Sequence, residues 1–145
     1  MPVVGFNFDK FSVERTGKIE KGIKVRNNIE VKDISIDEIS LSQDKKQDVL
    51  KLSFEYSVFY DPNIGSTILQ GHLLYLDTPA KIKEIANGWK KDKKIELTLK
   101  AQLLNTALIK CNIKALNLSQ DVNLPPHLPM PTLNPHVDKA KGYIG

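Results

Sequence analysis

The chain of 145 residues contains one cysteine, Cys111, and two arginines, Arg15 and Arg26. A single cysteine excludes an internal disulfide and a multi-cysteine zinc site, and it favours a reduced, cytoplasmic setting. The sequence has no apolar run of about 18 residues, so no membrane span is expected. Its first residues lack the cationic region and apolar core of a signal peptide. We therefore expect a cytoplasmic protein.

Positive charge is concentrated in one part of the chain. Residues 78–114 carry nine lysines and three acidic residues, whereas residues 1–77 carry ten basic and twelve acidic residues. The densest cluster directly follows Trp89 and consists of Lys90, Lys91, Lys93 and Lys94. These lysines can neutralise phosphates, and Trp89 can stack on a base, so RNA binding is one hypothesis. The scarcity of arginine favours the alternative, a solvated helical face.

Few side chains are arranged to carry chemistry. Cys111 lies on an apolar helical stripe, which predicts a buried and inert thiol. His72 lies within a predicted strand, whereas His127 and His136 are isolated among prolines, so no histidine set has metal-ligand spacing. No glycine-rich phosphate loop is present. We expect a protein without catalytic residues, metal or cofactor.

The strongest structural pattern predicts an antiparallel hairpin over Val49–Leu76. Alternate residues from Leu50 to Tyr60 are apolar, as is typical of a strand with one buried face. The link Asp61–Gly65 contains Pro, Asn and Gly, which favour a turn. A second apolar run returns from Ile68 to Leu76. This order of strand, turn and strand is typical of a hairpin.

Two further strands are predicted before the hairpin. Val3–Glu14 alternates with a change of phase near Asp9–Lys10, which predicts a β-bulge. Ile23–Ile36 alternates with a similar phase change. The polar stretch at residues 36–48 is predicted to be a loop.

Two helices and an arm are predicted after the hairpin. Thr78 and Pro79 are typical of a helix start, and the apolar spacing that follows predicts a helix ending near Lys91–Asp92. A longer apolar stripe predicts a second helix over Ile95–Cys111. Five of the eight prolines lie beyond Ser119. We expect an α+β domain at 1–118, with a four-stranded antiparallel sheet followed by two helices. An extended proline-rich arm at 119–145, frayed at 136–145, completes the prediction.

This arrangement resembles the SecB family of cytosolic protein-export chaperones. The resemblance covers residues 3–124 and rests on the aromatic strand Gly5–Phe8, the hairpin Val49–Leu76 and the tripeptide Leu116-Asn117-Leu118. It implies a sheet backed by two helices, an extended exit at that tripeptide, and homo-oligomers. It also implies binding of unfolded polypeptide in apolar grooves between sheet and helices. The chain departs from SecB in being basic and in having no cysteine beyond Cys111 for the C-terminal zinc motif.

Large apolar residues occur at both parities of the hairpin, which predicts a sheet covered on both sides. Helices can cover one side, and the arm, a second subunit or a client the other. The leading hypothesis is a non-enzymatic, SecB-like holdase that captures unfolded or apolar polypeptide. The alternative is a small RNA- or ribosome-associated protein. The candidate client-binding residues are Phe59, Leu69, Leu73, Tyr75 and Trp89.

Overall fold

A computed structural model describes residues 3–19 and 22–135. The chain forms four strands and then two helices, which confirms the predicted α+β class. The elements are β1 (Val3–Arg15), β2 (Lys24–Ser42), β3 (Lys45–Asp61), β4 (Gly65–Tyr75), α1 (Pro79–Asp92) and α2 (Leu97–Asp121).

The four strands form one antiparallel sheet in the order β1-β4-β3-β2. The predicted hairpin, β3 and β4, is therefore the centre of the sheet, and β1 and β2 are its edges. The register of β1 shifts between Phe8 and Lys10, which confirms the predicted bulge. A second shift lies between Val31 and Asp33 in β2.

The prediction of a loop at residues 36–48 is wrong. β2 continues to Ser42 and β3 begins at Lys45, so this stretch forms the tight end of a long hairpin. Polar side chains are accommodated there because this end of the hairpin is exposed to solvent, and Lys46 Nζ lies 3.6 Å from Glu38 Oε1. Backbone pairing thus extends the strands beyond the point at which the apolar alternation stops.

Both helices pack on the same face of the sheet. α1 lies against β2 and β3, whereas α2 contacts all four strands. The alternate residues of β3 that face the helices are almost fully buried, and they form the core with the apolar stripes of α1 and α2. The β3 members are Leu50, Leu52, Phe54, Tyr56, Val58 and Tyr60.

The bounds of α1 follow the predicted capping chemistry. Thr78 precedes the helix and its Oγ1 accepts a hydrogen bond of 3.3 Å from Lys81 N, and Pro79 is the first helical residue. The helix ends at Asp92, where Lys93 adopts a left-handed conformation with φ of 55°. The Lys93 N–H donates to Trp89 O at 2.8 Å and closes the last turn.

α2 is longer than predicted. It runs to Asp121, so Leu116-Asn117-Leu118 is helical, and the expectation of an extended exit at this tripeptide is wrong. The predicted boundary at residue 118 falls inside this helix. The buried stripe continues from Cys111 through Ala115 and Ser119, whose small side chains give a weak apolar signal in the sequence. Neither described helix is long and apolar enough to cross a bilayer.

The second face of the sheet is largely polar, and no described segment covers it. Its central members include Ser53, Glu55, Ser57, Gln70 and His72, with few apolar residues among them. The expectation of a sheet covered on both sides is therefore wrong for the described part of the chain. The arm packs on the helix side instead. Its residues 122–135 form neither helix nor strand, and 136–145, with the predicted fraying, lie outside the described residues.

Candidate functional site

Four of the five candidate client-binding residues lie in the core of the domain. Leu69 and Leu73 are fully buried, and Tyr75 and Trp89 are at most 8% exposed. Phe59 lies on the opposite face of the sheet, where the guanidinium of Arg26 is 5.0 Å from its ring centroid. The five residues therefore do not converge on one surface. A client could reach the buried four only after the helices had moved away from the sheet.

The four clustered lysines are all exposed, at the end of α1 and in the connection to α2. Trp89 is buried, its Nε1 has no hydrogen-bond partner among the described residues, and Lys93 Nζ lies 5.3 Å from its ring centroid. The indole is therefore closed to a stacking base in this conformation. Of the two features behind the RNA-binding hypothesis, the four exposed lysines are therefore present, but Trp89 is not accessible for stacking.

A different surface brings aromatic and basic side chains together beside the edge strand β1. We call it the β1 edge surface and define it by Phe6, Phe8, Phe11, Lys110, Ile113 and Lys114. The three rings form a continuous row, with centroids 5.1 Å apart for Phe6–Phe8 and 5.2 Å apart for Phe8–Phe11. Phe6 and Phe8 are half-buried, whereas Phe11 is 46% exposed. Phe6 also stacks on core residue Phe54 at 5.5 Å, which anchors the row.

α2 contributes the other side of this surface. Ile113 is 59% exposed, and Ile109, one turn earlier, is 65% exposed. Lys110 Nζ lies 5.4 Å from the Phe6 centroid and Lys114 Nζ lies 4.6 Å from the Phe11 centroid, both within cation–π range. Between the helix and the strand is an open cleft of about 280 Å³. The surface is therefore apolar in its centre and positively charged along the helix.

The bulge in β1 explains how three phenylalanines come to share one face. Phe6 pairs with Leu73, Phe8 with Gly71 and, after the shift, Phe11 with Leu69. Without the extra residue, Phe11 would point to the opposite face, because side chains alternate along a strand. A Cβ at Gly71 would lie 2.9 Å from Phe54 Cζ and 2.5 Å from Asn7 O, so the ring packing requires glycine there.

β1 also presents a backbone edge. Eleven of its 13 residues pair with β4 on one side, and no described strand pairs with the other side. Proteins usually protect such edges with charges, prolines or bulges. The other edge strand, β2, carries five charged residues in its central part: Glu30, Lys32, Asp33, Asp37 and Glu38. β1 carries four charged residues and two register shifts, yet it exposes the Phe11 ring, so an open backbone edge and an apolar surface lie together there.

In the sequence the phenylalanines indicate only a strand, and Ile109 and Ile113 were not predicted as part of a site. These isoleucines are spaced by four residues on α2 but lie off the stripe that contains Ala107 and Cys111. Apolar residues repeated outside a helix's buried stripe are the available signal for an exposed patch.

Two other predictions concern titratable side chains. Cys111 is fully buried as predicted, and burial raises the pKa of its thiol to about 12. The prediction that His127 is isolated is wrong: it is buried and contacts Tyr56 and Asn112. The described residues contain no group of three or more His, Cys, Asp or Glu side chains that could hold a metal ion.

Comparison with protein-family models, with curated proteins and with solved structures finds no match to this chain. The resemblance to SecB therefore stays a prediction based on topology and on the residues quoted above.

Proposed function

We propose that this protein is a non-enzymatic, SecB-like holdase that captures extended apolar polypeptide at the β1 edge surface. One observation carries the proposal: the outer edge of the 13-residue strand β1, with which no described strand pairs, lies beside a row of partly exposed phenylalanines. The site differs from the buried residues that the sequence suggested. It needs no separation of helices and sheet.

Strand addition supplies the first part of the binding energy. An extended client can pair its backbone with the outer edge of β1, which is the mode that many peptide-binding domains use. Such backbone pairing is independent of client sequence, as a holdase requires. It also explains selectivity for unfolded chains, because folded proteins rarely expose a long unpaired strand.

Apolar contact supplies the second part. Alternate client side chains on the helix side would lie over Phe8, Phe11 and Ile113, where burial of apolar area drives association. Lys110 and Lys114 favour clients that carry acidic residues beside their apolar ones. Capture therefore needs no nucleotide and weakens only in part at high salt.

The proposal places the protein in the cytoplasm, consistent with its single, buried cysteine. The basic charge of the chain argues against coupling to the usual motor of the SecB export pathway. A SecB-like fold serving another partner is compatible with this charge.

The experiment measures the aggregation of an unfolded client by light scattering, with and without the protein. Phe11→Ser combined with Ile113→Ser removes exposed apolar groups from the surface. Leu41→Ser combined with Leu97→Ser is the matched control, because these residues are 58% and 79% exposed elsewhere. We expect the wild type and the control to suppress aggregation and the first variant to lose most of this effect. Equal suppression by all three proteins, or none by the wild type, would reject the proposal.

A second copy of the chain is a competing occupant of the same surface. Homo-oligomers are part of the SecB resemblance, and two β1 edges can pair with each other. Molar mass from light scattering distinguishes the cases. A dimer that dissociates with Phe11→Ser and Ile113→Ser, in a protein that does not capture clients, would assign the surface to self-association.

RNA or ribosome binding remains the alternative function, because four lysines are exposed within five residues. Replacing Lys90, Lys91, Lys93 and Lys94 by Gln should flatten the dependence of log affinity on log salt by about three units, at roughly 0.7–0.9 per phosphate contact. Helix propensity changes little from Lys to Gln, so the fold should survive. If the wild type binds no RNA at low salt, this alternative is eliminated.

A further inference from the structure

Specific contacts hold the arm after α2 against the end of that helix and against the sheet. Leu124 is 4% exposed, and its N–H donates to Ser119 O at 2.8 Å. Tyr60 Oη donates to Pro125 O at 2.6 Å. Arg15 Nη1 donates to Asn123 O at 3.3 Å. An inserted leucine and backbone carbonyls bound by side chains are the contacts that an extended peptide ligand makes with its receptor.

His127 anchors the next part of the arm. Its Nε2 lies 2.9 Å from Tyr56 Oη and 3.1 Å from Asn112 Oδ1, and Tyr56 Oη donates to Asn112 Oδ1 at 2.7 Å. Because the single tyrosine proton goes to Asn112, His127 Nε2 must be the donor to Tyr56. The Nδ1 of the neutral ring is then a bare acceptor. It is buried and has no partner among the described residues.

The surface that binds the arm continues into an open cleft. A cleft of about 390 Å³ adjoins Tyr56 and Asn112, and β2 and α2 form its sides. Its lining is part apolar and part amide, which suits the backbone and side chains of an extended peptide. The lining residues are Asn27, Asn28, Ile29, Tyr56, Leu108 and Asn112.

We propose that the cleft between α2 and the β2–β3 hairpin is a binding site for an extended, proline-containing peptide. The chain's own residues 124–128 adjoin it in the resting protein, where His127 contacts the lining residues Tyr56 and Asn112, and protonation of His127 releases them. Release of the arm exposes Tyr56 and Tyr60 and extends the apolar surface offered to a client. That consequence for clients rests on the proposed function, whereas the release of the arm does not.

Protonation opposes docking because it adds an N–H at Nδ1, where the described residues offer no acceptor, and because it buries a charge. Burial alone lowers the pKa of His127 below its ordinary value of 6.5. The side chains packed around this cluster are Tyr56 and Tyr60 from β3, Asn27 from β2, and Cys111 and Asn112 from α2. None of these is charged near neutral pH, and the charged residue that binds the arm is Arg15, at Asn123.

The sign of the effect follows from that lowered pKa. Docking is fully favoured above pH 6.5, where both the free and the docked imidazole are neutral. It weakens as the pH falls from there toward the pKa of the docked ring. The docking equilibrium falls about tenfold for each pH unit that separates the two pKa values.

The experiment follows amide hydrogen exchange in the non-proline residues of 122–135 in the full chain at about pH 7.5 and about pH 5, corrected for intrinsic exchange rates. The wild type should lose protection of the arm at the lower pH. His127→Gln keeps an N–H donor but cannot titrate, so its arm should stay protected. His72→Gln is the matched control, since His72 bonds Asp9 on the other face, and it should behave as the wild type. Protection of the wild-type arm at both pH values, or equal loss in His127→Gln, overturns the proposal.

A second measurement decides the outcome if His127→Gln fails to dock its arm at either pH. The imidazole proton signal of His127 in the wild type is titrated by NMR together with signals from the arm. Titration below the ordinary histidine value, with the arm signals changing in parallel, supports the proposal. Titration at the ordinary value, or without change in the arm, contradicts it.

Binding in trans tests the site itself. A labelled peptide with the sequence of residues 123–133, in which Gln replaces His127 so that the peptide itself cannot titrate, should bind the full chain more tightly at about pH 5 than at about pH 7.5, because the intramolecular arm competes at neutral pH. Peptide binding that is equal at both pH values would contradict competition between the arm and the peptide for this site. Neither measurement involves an unfolded client, so failure of the holdase proposal leaves this test intact.

Discussion

Leu103→Ala tests whether the central face of α2 is what holds the helix to the sheet. Leu103 is fully buried, with an accessible fraction of 0%, and it belongs to the main core cluster. The substitution removes three carbons, which at about 0.8 kcal/mol per buried carbon corresponds to about 2.4 kcal/mol of transfer free energy. The unfilled space adds to this value, and measured Leu→Ala losses in cores reach about 5 kcal/mol.

The assay is equilibrium unfolding in urea, followed by circular dichroism and by the fluorescence of Trp89. Leu97→Ala is the matched control, because Leu97 lies on the same helix but is 79% exposed. Leu→Ala changes helix propensity by only about a few tenths of a kcal/mol at either position, so the difference between the two losses reports burial. We expect a loss of about 2–5 kcal/mol for Leu103→Ala and less than about 0.5 kcal/mol for Leu97→Ala. Similar losses for both would mean that this side of α2 does not face the sheet.

Two further predictions concern backbone strain and thiol chemistry. Lys93, which follows α1, has a φ of 55°, a conformation that costs less for glycine than for residues with a Cβ. Lys93→Gly should therefore raise the free energy of unfolding by about 1 kcal/mol, whereas Lys93→Ala, which keeps the Cβ, should not. A loss of stability in Lys93→Gly would contradict this account. Burial raises the pKa of Cys111 from 9.0 to about 12, so at about pH 8 the native thiol should react with a disulfide reagent about a thousandfold more slowly than the unfolded chain. Equal rates in native and denaturing buffer would show that this thiol is accessible.

The strands and caps were predictable because their signals are local. The alternation of β3, the phase change at Asp9–Lys10 and the Thr78-Pro79 start of α1 all act within a few residues. The extension of α2 was not predictable in the same way. Its last turns are buried through Ala115 and Ser119, and small side chains contribute little to an apolar pattern.

The candidate site was harder to predict because exposure depends on how helices sit on a sheet. Leu69, Leu73 and Tyr75 are apolar whether they line a groove or fill a core, and only the position of α1 and α2 decides between these. The docking of His127 on Tyr56 joins residues 71 positions apart in the chain. No local pattern reports such a contact.

Amide exchange along β1 tests the central claim most directly, since strand addition has a specific signature. Alternate amides of an edge strand point outward and exchange freely until a partner strand pairs with them. With a saturating unfolded client, we predict new protection of alternate amides in Val3–Arg15 and no change in β2 (Lys24–Ser42). Client binding without any added protection in β1 would contradict capture at this edge.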